Sequence, residues 1–122
     1  MKLLKWLVCV ATLLAGQSAQ AQQKPNRETL TSGAYHVTQS WSQEQSFKRP
    51  YHVRVPEGKP QQLPVLIFLH GNGGNAREAM RGFIRGRGKI ASRFIMVFPQ
   101  GYRESWNIVS ERSKADDLRF IE

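Results

Sequence analysis

The segment "PVLIFLHGNGGNA", residues 64–76, constrains the fold more than any other stretch of the chain. An unbroken apolar run, Val65 to Leu69, stops at His70 and dissolves into Gly71, Gly73 and Gly74. A strand without polar alternation is the kind buried on both faces, as a central strand of a parallel sheet is when helices cover it. A second apolar run, "FIMVFP" at 94–99, follows after one helical stretch. That is the spacing of a βαβ unit.

Upstream of this unit the patterning changes. "AYHVTQSW" and "RPYHVRVP" each alternate large and polar residues, and the turn-prone "SQEQSFK" separates them. This predicts an antiparallel hairpin at a sheet edge. Pro56, Gly58, Pro60 and Pro64 then punctuate a loop into the first apolar run. The crossover stretch is a poor helix former, because Gly82, Gly86 and Gly88 each cost about 1 kcal/mol relative to alanine. It reads as two short helices, roughly 75–82 and 84–92. In "KADDLRFIE" the carboxylates of Asp116 and Asp117 suit a first helical turn, and Leu118 and Ile121 begin an apolar face. The fold class expected is α/β: an antiparallel hairpin leading into parallel strands with crossover helices. A helix that starts near Ala115 has no room to finish by Glu122, so the expectation is an incomplete sheet, truncated within the domain.

The domain proper is expected over 33–122. Residues 1–21 have the outline of a secretory signal peptide: Lys2 and Lys5, an apolar stretch from Trp6 to Ala15, and Ala19-Gln20-Ala21 as the cleavage site. The apolar stretch is too short to span a bilayer, so no stable membrane insertion is expected after cleavage. Residues 22–32 read as a flexible leader. The one cysteine, Cys9, lies inside the signal, which leaves the mature chain without disulfides or a cysteine metal site. The expected location is secreted or periplasmic.

The net charge of +9 is concentrated in "REAMRGFIRGRGKIASR", where Arg77, Arg81 and Arg85 recur every four residues. Nucleic-acid binding would need aromatic side chains interleaved with the basic ones, and only Phe83 is available. A solvated helix face is the simpler reading, and no nucleic-acid partner is expected.

The glycines after His70 suit two chemistries. Gly71, Gly73 and Ala76 satisfy the G-x-G-x-x-G/A fingerprint of dinucleotide binding. That fold also needs an acidic residue at the end of the next strand, and no Asp or Glu lies between Glu78 and Glu104. No lysine followed by Ser or Thr closes the glycines as a phosphate loop requires. The alternative is an oxyanion loop, whose backbone N–H groups stabilise the negative oxygen formed during acyl transfer. In α/β-hydrolases one such donor follows the nucleophile and the other comes from a loop placed like this one.

The segments "RPYHVRVPEGKPQQLPVLIFLHGNGGNA", "MVFPQGYRESWN" and "ADDLRFIE" together resemble the N-terminal part of the secreted polyhydroxybutyrate depolymerase and feruloyl esterase-like α/β-hydrolases. The resemblance runs from about Arg49 to Glu122. It implies an exported serine esterase acting on polyester or feruloyl-type esters through an acyl-enzyme, with no metal and no cofactor. Carried onto this chain, it implies an oxyanion loop of His70, Gly71, Asn72, Gly73 and Gly74, with the Asn72 N–H as a donor and His70 bracing the loop. A strand-end histidine with satisfied hydrogen bonds is the plain reading of His70. Trp106 and Asn107 become candidates for the substrate pocket or for bracing the loop, and core packing accounts equally for Trp106. Asp116 and Asp117 correspond to a helix start, where capping explains them better than catalysis.

One part of that pattern is missing. No G-x-S-x-G nucleophile elbow occurs in these 122 residues. Ser92, Ser105 and Ser110 lack the strand-to-helix setting, and His36 and His52 precede the place of a triad histidine. Nucleophile, acid and base are thus all unassigned. The chain is expected to be inactive alone, the missing partner being the C-terminal half of the domain. A non-catalytic exported binding module that uses the Trp106 loop is the reading from another class.

Overall fold

The computed structural model describes residues 29–58, 62–107 and 112–122. The expected signal peptide, most of the leader, Pro60 and Ser110 lie outside them. The described residues form a mixed four-stranded sheet and two helices, an α/β arrangement. Strands β1 (Gly33–Trp41) and β2 (Glu44–Arg54) make the hairpin, β3 (Val65–Ile67) leads into helix α1 (Ala76–Ala91), and β4 (Ile95–Pro99) follows. A short helix α2 (Asp117–Ile121) closes the described chain. The sheet order is β1-β2-β4-β3, with β2 antiparallel to both β1 and β4, and β3 parallel to β4.

The hairpin turn is tighter than the sequence suggests. Trp41 pairs with Glu44 across Ser42 and Gln43, so much of the turn-prone segment belongs to β2. Packing explains this: Phe47 meets Trp41 edge-on at 5.7 Å and Tyr102 at 5.2 Å between ring centroids. Burying an aromatic ring outweighs the weak turn preference of the polar residues around it.

The two apolar runs take different places. β4 is central and buried, with Met96 and Phe98 wholly inaccessible. Full burial of each side chain contributes about 1.5–3 kcal/mol. β3 stands at the edge of the described sheet, and only one of its faces is covered by a long helix. Leu66 and Phe68 pack toward α1, whereas Val65 is 59% exposed, Ile67 44% and Leu69 48%. The expectation of a central strand covered by helices on both faces therefore does not hold for β3 among the described residues, and the central place between β2 and β3 belongs to β4. An apolar sequence records what a strand can bury and leaves open which neighbour will cover it.

Helix α1 is two helical pieces joined across a kink, as expected, but the break falls at Arg87 and not near Phe83. Its apolar residues Ala76, Ala79, Met80, Phe83, Ile84 and Ala91 recur at helical spacing and pack on Leu66, Phe68, Met96 and Phe98. Gly82, Gly86 and Gly88 are exposed, so they weaken the helix without opening the core. The irregularity falls at Arg87, with φ −137° and ψ 38°, between two of these glycines. Arg77, Arg81 and Arg85 are solvent-exposed, as a solvated face requires. The one ion pair on that face, Arg81 with Glu78 at 2.9 Å, contributes little in water.

In α2 the apolar face differs from the expected one. Phe120 is buried, and Leu118 is 72% exposed. The buried guanidinium of Arg49 lies 4.0 Å from the Phe120 ring and draws that side chain inward.

Candidate functional site

The loop after β3 turns on His70, which is buried at the strand end. Its Nε2 accepts the backbone N–H of Gly101 at 3.0 Å and lies 3.1 Å from the Gln100 amide nitrogen. A nitrogen that accepts has no proton, so the neutral ring carries its hydrogen on Nδ1. That N–H donates to the carbonyl of Gly71 at 2.8 Å. The same carbonyl accepts the Gly74 N–H at 2.9 Å, closing a tight turn. Gly73 has φ +71°, the left-handed region that favours glycine. A Cβ at Gly74 would stand 2.6 Å from the Gly71 oxygen and 2.9 Å from His70 Nδ1.

The N–H groups of this turn divide into two sets. Gly73 donates to the Glu104 carbonyl at 2.8 Å, and Ala76 donates to Gln100 Oε1 at 2.8 Å. Arg77 and Glu78 donate to Asn75 Oδ1, which caps α1. Among the described residues, no acceptor takes the N–H of Gly71 or Asn72, nor that of Asn75 just beyond the turn. Gly71 and Asn72 are exposed, so their donors meet solvent or whatever displaces it.

Trp106 braces the loop from outside. Its indole N–H donates to the His70 carbonyl at 2.9 Å, and its ring lies 5.1 Å from the imidazole. The segment that carries it leaves β4 through a 3-10 turn at Tyr102–Glu104. Arg103 and Glu104 both have left-handed backbones, with φ of 51° and 61°. Such conformations cost about 1–3 kcal/mol each in a non-glycine residue. What they achieve is to bring the Glu104 carbonyl to Gly73. Gly101 is obligatory beside them, since a Cβ there would meet the Ser105 oxygen at 2.3 Å.

Asn107 donates its side-chain amide to the Ala115 carbonyl at 2.9 Å and its backbone N–H to Asp117. Asp116 caps α2 by accepting the Arg119 N–H at 3.2 Å. Asp117 pairs with Arg49 at 2.6 Å, in a place where the arginine side chain is wholly inaccessible. The two acids thus separate in role: one caps the helix and the other joins the helix to β2.

An open cavity of about 500 Å³ lies beside this segment, lined in part by Phe47, His52, Arg77, Gln100, Tyr102 and Arg103. Burial pushes the His52 imidazole below its ordinary pKa of 6.5, and the charge of Arg77 acts in the same direction. Tyr102 donates its hydroxyl to the Glu44 carboxylate, and that hydrogen bond, with burial second, raises the phenol above 10.0.

The structure brings His70, Gly71, Asn72, Gly73, Gly74 and Trp106 together. It sets Asn107 and Asp117 behind Trp106 and leaves Asp116 at the helix cap. Gln100 and Arg49 were not singled out from the sequence. Each is a polar residue whose role appears only when strands distant in sequence meet. No protein-family model matches the chain, and no curated protein is significantly similar to it. Among the described residues, no group of three His, Cys, Asp or Glu side chains could hold a metal ion, and no helix is long and apolar enough to cross a membrane.

Proposed function

We propose that this chain carries the oxyanion-loop portion of an exported serine hydrolase that acts on carboxylic esters, of the polyhydroxybutyrate depolymerase and feruloyl esterase-like kind. The observation that carries the reading is the division of N–H groups in the 70–74 turn. Those of Gly73 and Gly74 hold the loop, and those of Gly71 and Asn72 have no acceptor among the described residues. Rigid donors with no partner of their own are what a developing oxyanion requires, because they need no reorganisation when charge appears. The strand arrangement supports the reading too: an antiparallel hairpin, then two parallel strands joined by a helix, with β4 between the hairpin and β3. An α/β-hydrolase sheet begins in this way. The pattern of residues 1–21 supports export.

In this reading a serine oxygen attacks the ester carbonyl, and the carbonyl oxygen takes up the negative charge. Asn72 N–H supplies one hydrogen bond to it, and the N–H after the nucleophile supplies the other. His70 is not the base, since both its nitrogens are engaged in holding the loop. Among the described serines none sits on a tight turn leading directly from a strand into a helix. Ser92 ends α1 with its hydroxyl bonded to the Lys89 carbonyl at 3.0 Å, and Ser105 follows the 3-10 turn. The sequence contains no G-x-S-x-G, and this reading assigns the nucleophile and its base to other polypeptide.

The test uses the reading frame extended through the first downstream G-x-S-x-G. The extended protein is expected to hydrolyse p-nitrophenyl butyrate and to be labelled by a fluorophosphonate, and the 122-residue chain is expected to do neither. Asn72→Pro, which removes the N–H, should lower kcat by about 10²–10³ in the extended protein. A downstream sequence without such an elbow in any frame overturns the reading, as does turnover that survives loss of the elbow serine.

A further inference from the structure

We propose that Asp117, anchored by Arg49, is a positioning residue for the glycine loop: its carboxylate fixes Asn107, and through Trp106 the His70 carbonyl, to a point on β2. The two carboxylate oxygens face opposite tasks. Oδ1 takes the Arg49 guanidinium at 2.6 Å, and Oδ2 takes the backbone N–H of Asn107. Next to Asn107, Trp106 donates its indole N–H to His70 at 2.9 Å. Three side chains, Arg49, Asp117 and Trp106, with the backbone of Asn107 between the last two, thus connect β2 to the turn that carries the Gly71 and Asn72 donors.

Arg49 gives this chain of contacts a fixed end. It is fully buried, and it donates to Gln39 Oε1 at 3.2 Å and to the Gln100 carbonyl at 3.5 Å. The Phe120 ring lies against the guanidinium. Arg49 Nε has no hydrogen-bond partner among the described residues. A buried ion pair with an orphaned N–H is a poor way to gain stability, since apolar side chains of similar volume often serve as well. The pair is not needed to start α2 either, because Asp116 already caps it. What the pair adds is direction. A carboxylate held at one oxygen by a buried guanidinium presents the other oxygen to Asn107 in one orientation.

The purpose assigned to this connection rests on the oxyanion reading of the 70–74 turn, whereas the contacts themselves do not. The test therefore starts with a readout independent of turnover. In the ¹⁵N-labelled chain, Asp117→Asn should raise hydrogen exchange at the Trp106 indole N–H by about tenfold or more and shift the amide resonances of Asn107 and Gly73. Asp117→Glu keeps the charge while displacing the second oxygen, and should give a smaller change in the same signals. Asp116→Ala removes the helix cap and should lower the melting temperature while leaving the indole unchanged. An indole unmoved by both Asp117 variants, or moved equally by Asp116→Ala, overturns the proposal. In the extended protein, Asp117→Glu should lower kcat with KM little changed. Ester turnover with an unmoved indole overturns the positioning role alone, and a moved indole in a protein with no turnover overturns the esterase reading alone.

Discussion

The His70 imidazole accepts the backbone N–H of Gly101 at 3.0 Å, and this bond joins the end of one apolar strand to the end of the other. It also determines which nitrogen carries the proton. Because Nε2 must accept, Nδ1 donates, and the Gly71 carbonyl is held in the position that closes the turn.

Two measurements follow for His70. Long-range ¹H–¹⁵N correlation at mildly alkaline pH should show the Nδ1–H tautomer. His70→Leu should destabilise the fold by about 1–3 kcal/mol in denaturant titration, because it leaves the Gly101 N–H buried without an acceptor.

Neighbouring glycines in the turn should respond differently to the same added methyl group. Gly74→Ala places a Cβ 2.6 Å from the Gly71 oxygen, which two hydrogen bonds hold in place. The expected cost is about 1–3 kcal/mol. Gly71→Ala meets nothing within 4 Å and should stay within about 0.5 kcal/mol of the parent. Thermal melts of the two variants compare them directly.

Breaking the buried ion pair should be costly from the Arg49 side. Arg49→Leu leaves Asp117, whose side chain is only 11% exposed, without its counter-charge. Removal of one partner from a buried pair costs about 3–5 kcal/mol, read here as the loss of denaturant midpoint at constant m-value.

His52 should make stability pH-dependent in one direction. Its folded pKa lies below 6.5, so the unfolded chain takes up the proton first as pH falls. The contribution of the neutral ring to stability is complete above that value and is lost as pH drops from 6.5 toward the folded pKa. The melting temperature should therefore fall over this window, and the fall should be shallower in His52→Gln. An unchanged slope in that variant would remove His52 from the account.

Much of the architecture was legible because it rests on local signals. Alternation in residues 34–41 and 49–56 marked the hairpin, and the two apolar runs marked the parallel pair. Asn75, Gly73 and Gly74 announced a turn into a helix, where each has a backbone reason to be itself. The division of α1 was legible from its glycines and only its place was missed, since it falls at Arg87, between Gly86 and Gly88, and not near Gly82. The apolar face expected at Leu118 is exposed, because periodicity cannot tell which side of a five-residue helix will face Arg49.

The sequence by itself determined the order of elements, the glycine turn after His70 and the cap at Asp116. These depend on backbone conformation and on neighbours a few residues apart. Only the tertiary structure decided that β4 and not β3 would be central, and that Gln100 and Arg49 would hold the site. The same folding decided which N–H groups of the turn would have no acceptor among the described residues. Those outcomes depend on pairings between residues such as His70 and Gly101, or Arg49 and Asp117, that are far apart in the chain. Hydrogen-bond donors and charges are chosen by residue type, but their partners are chosen by the packing of the sheet.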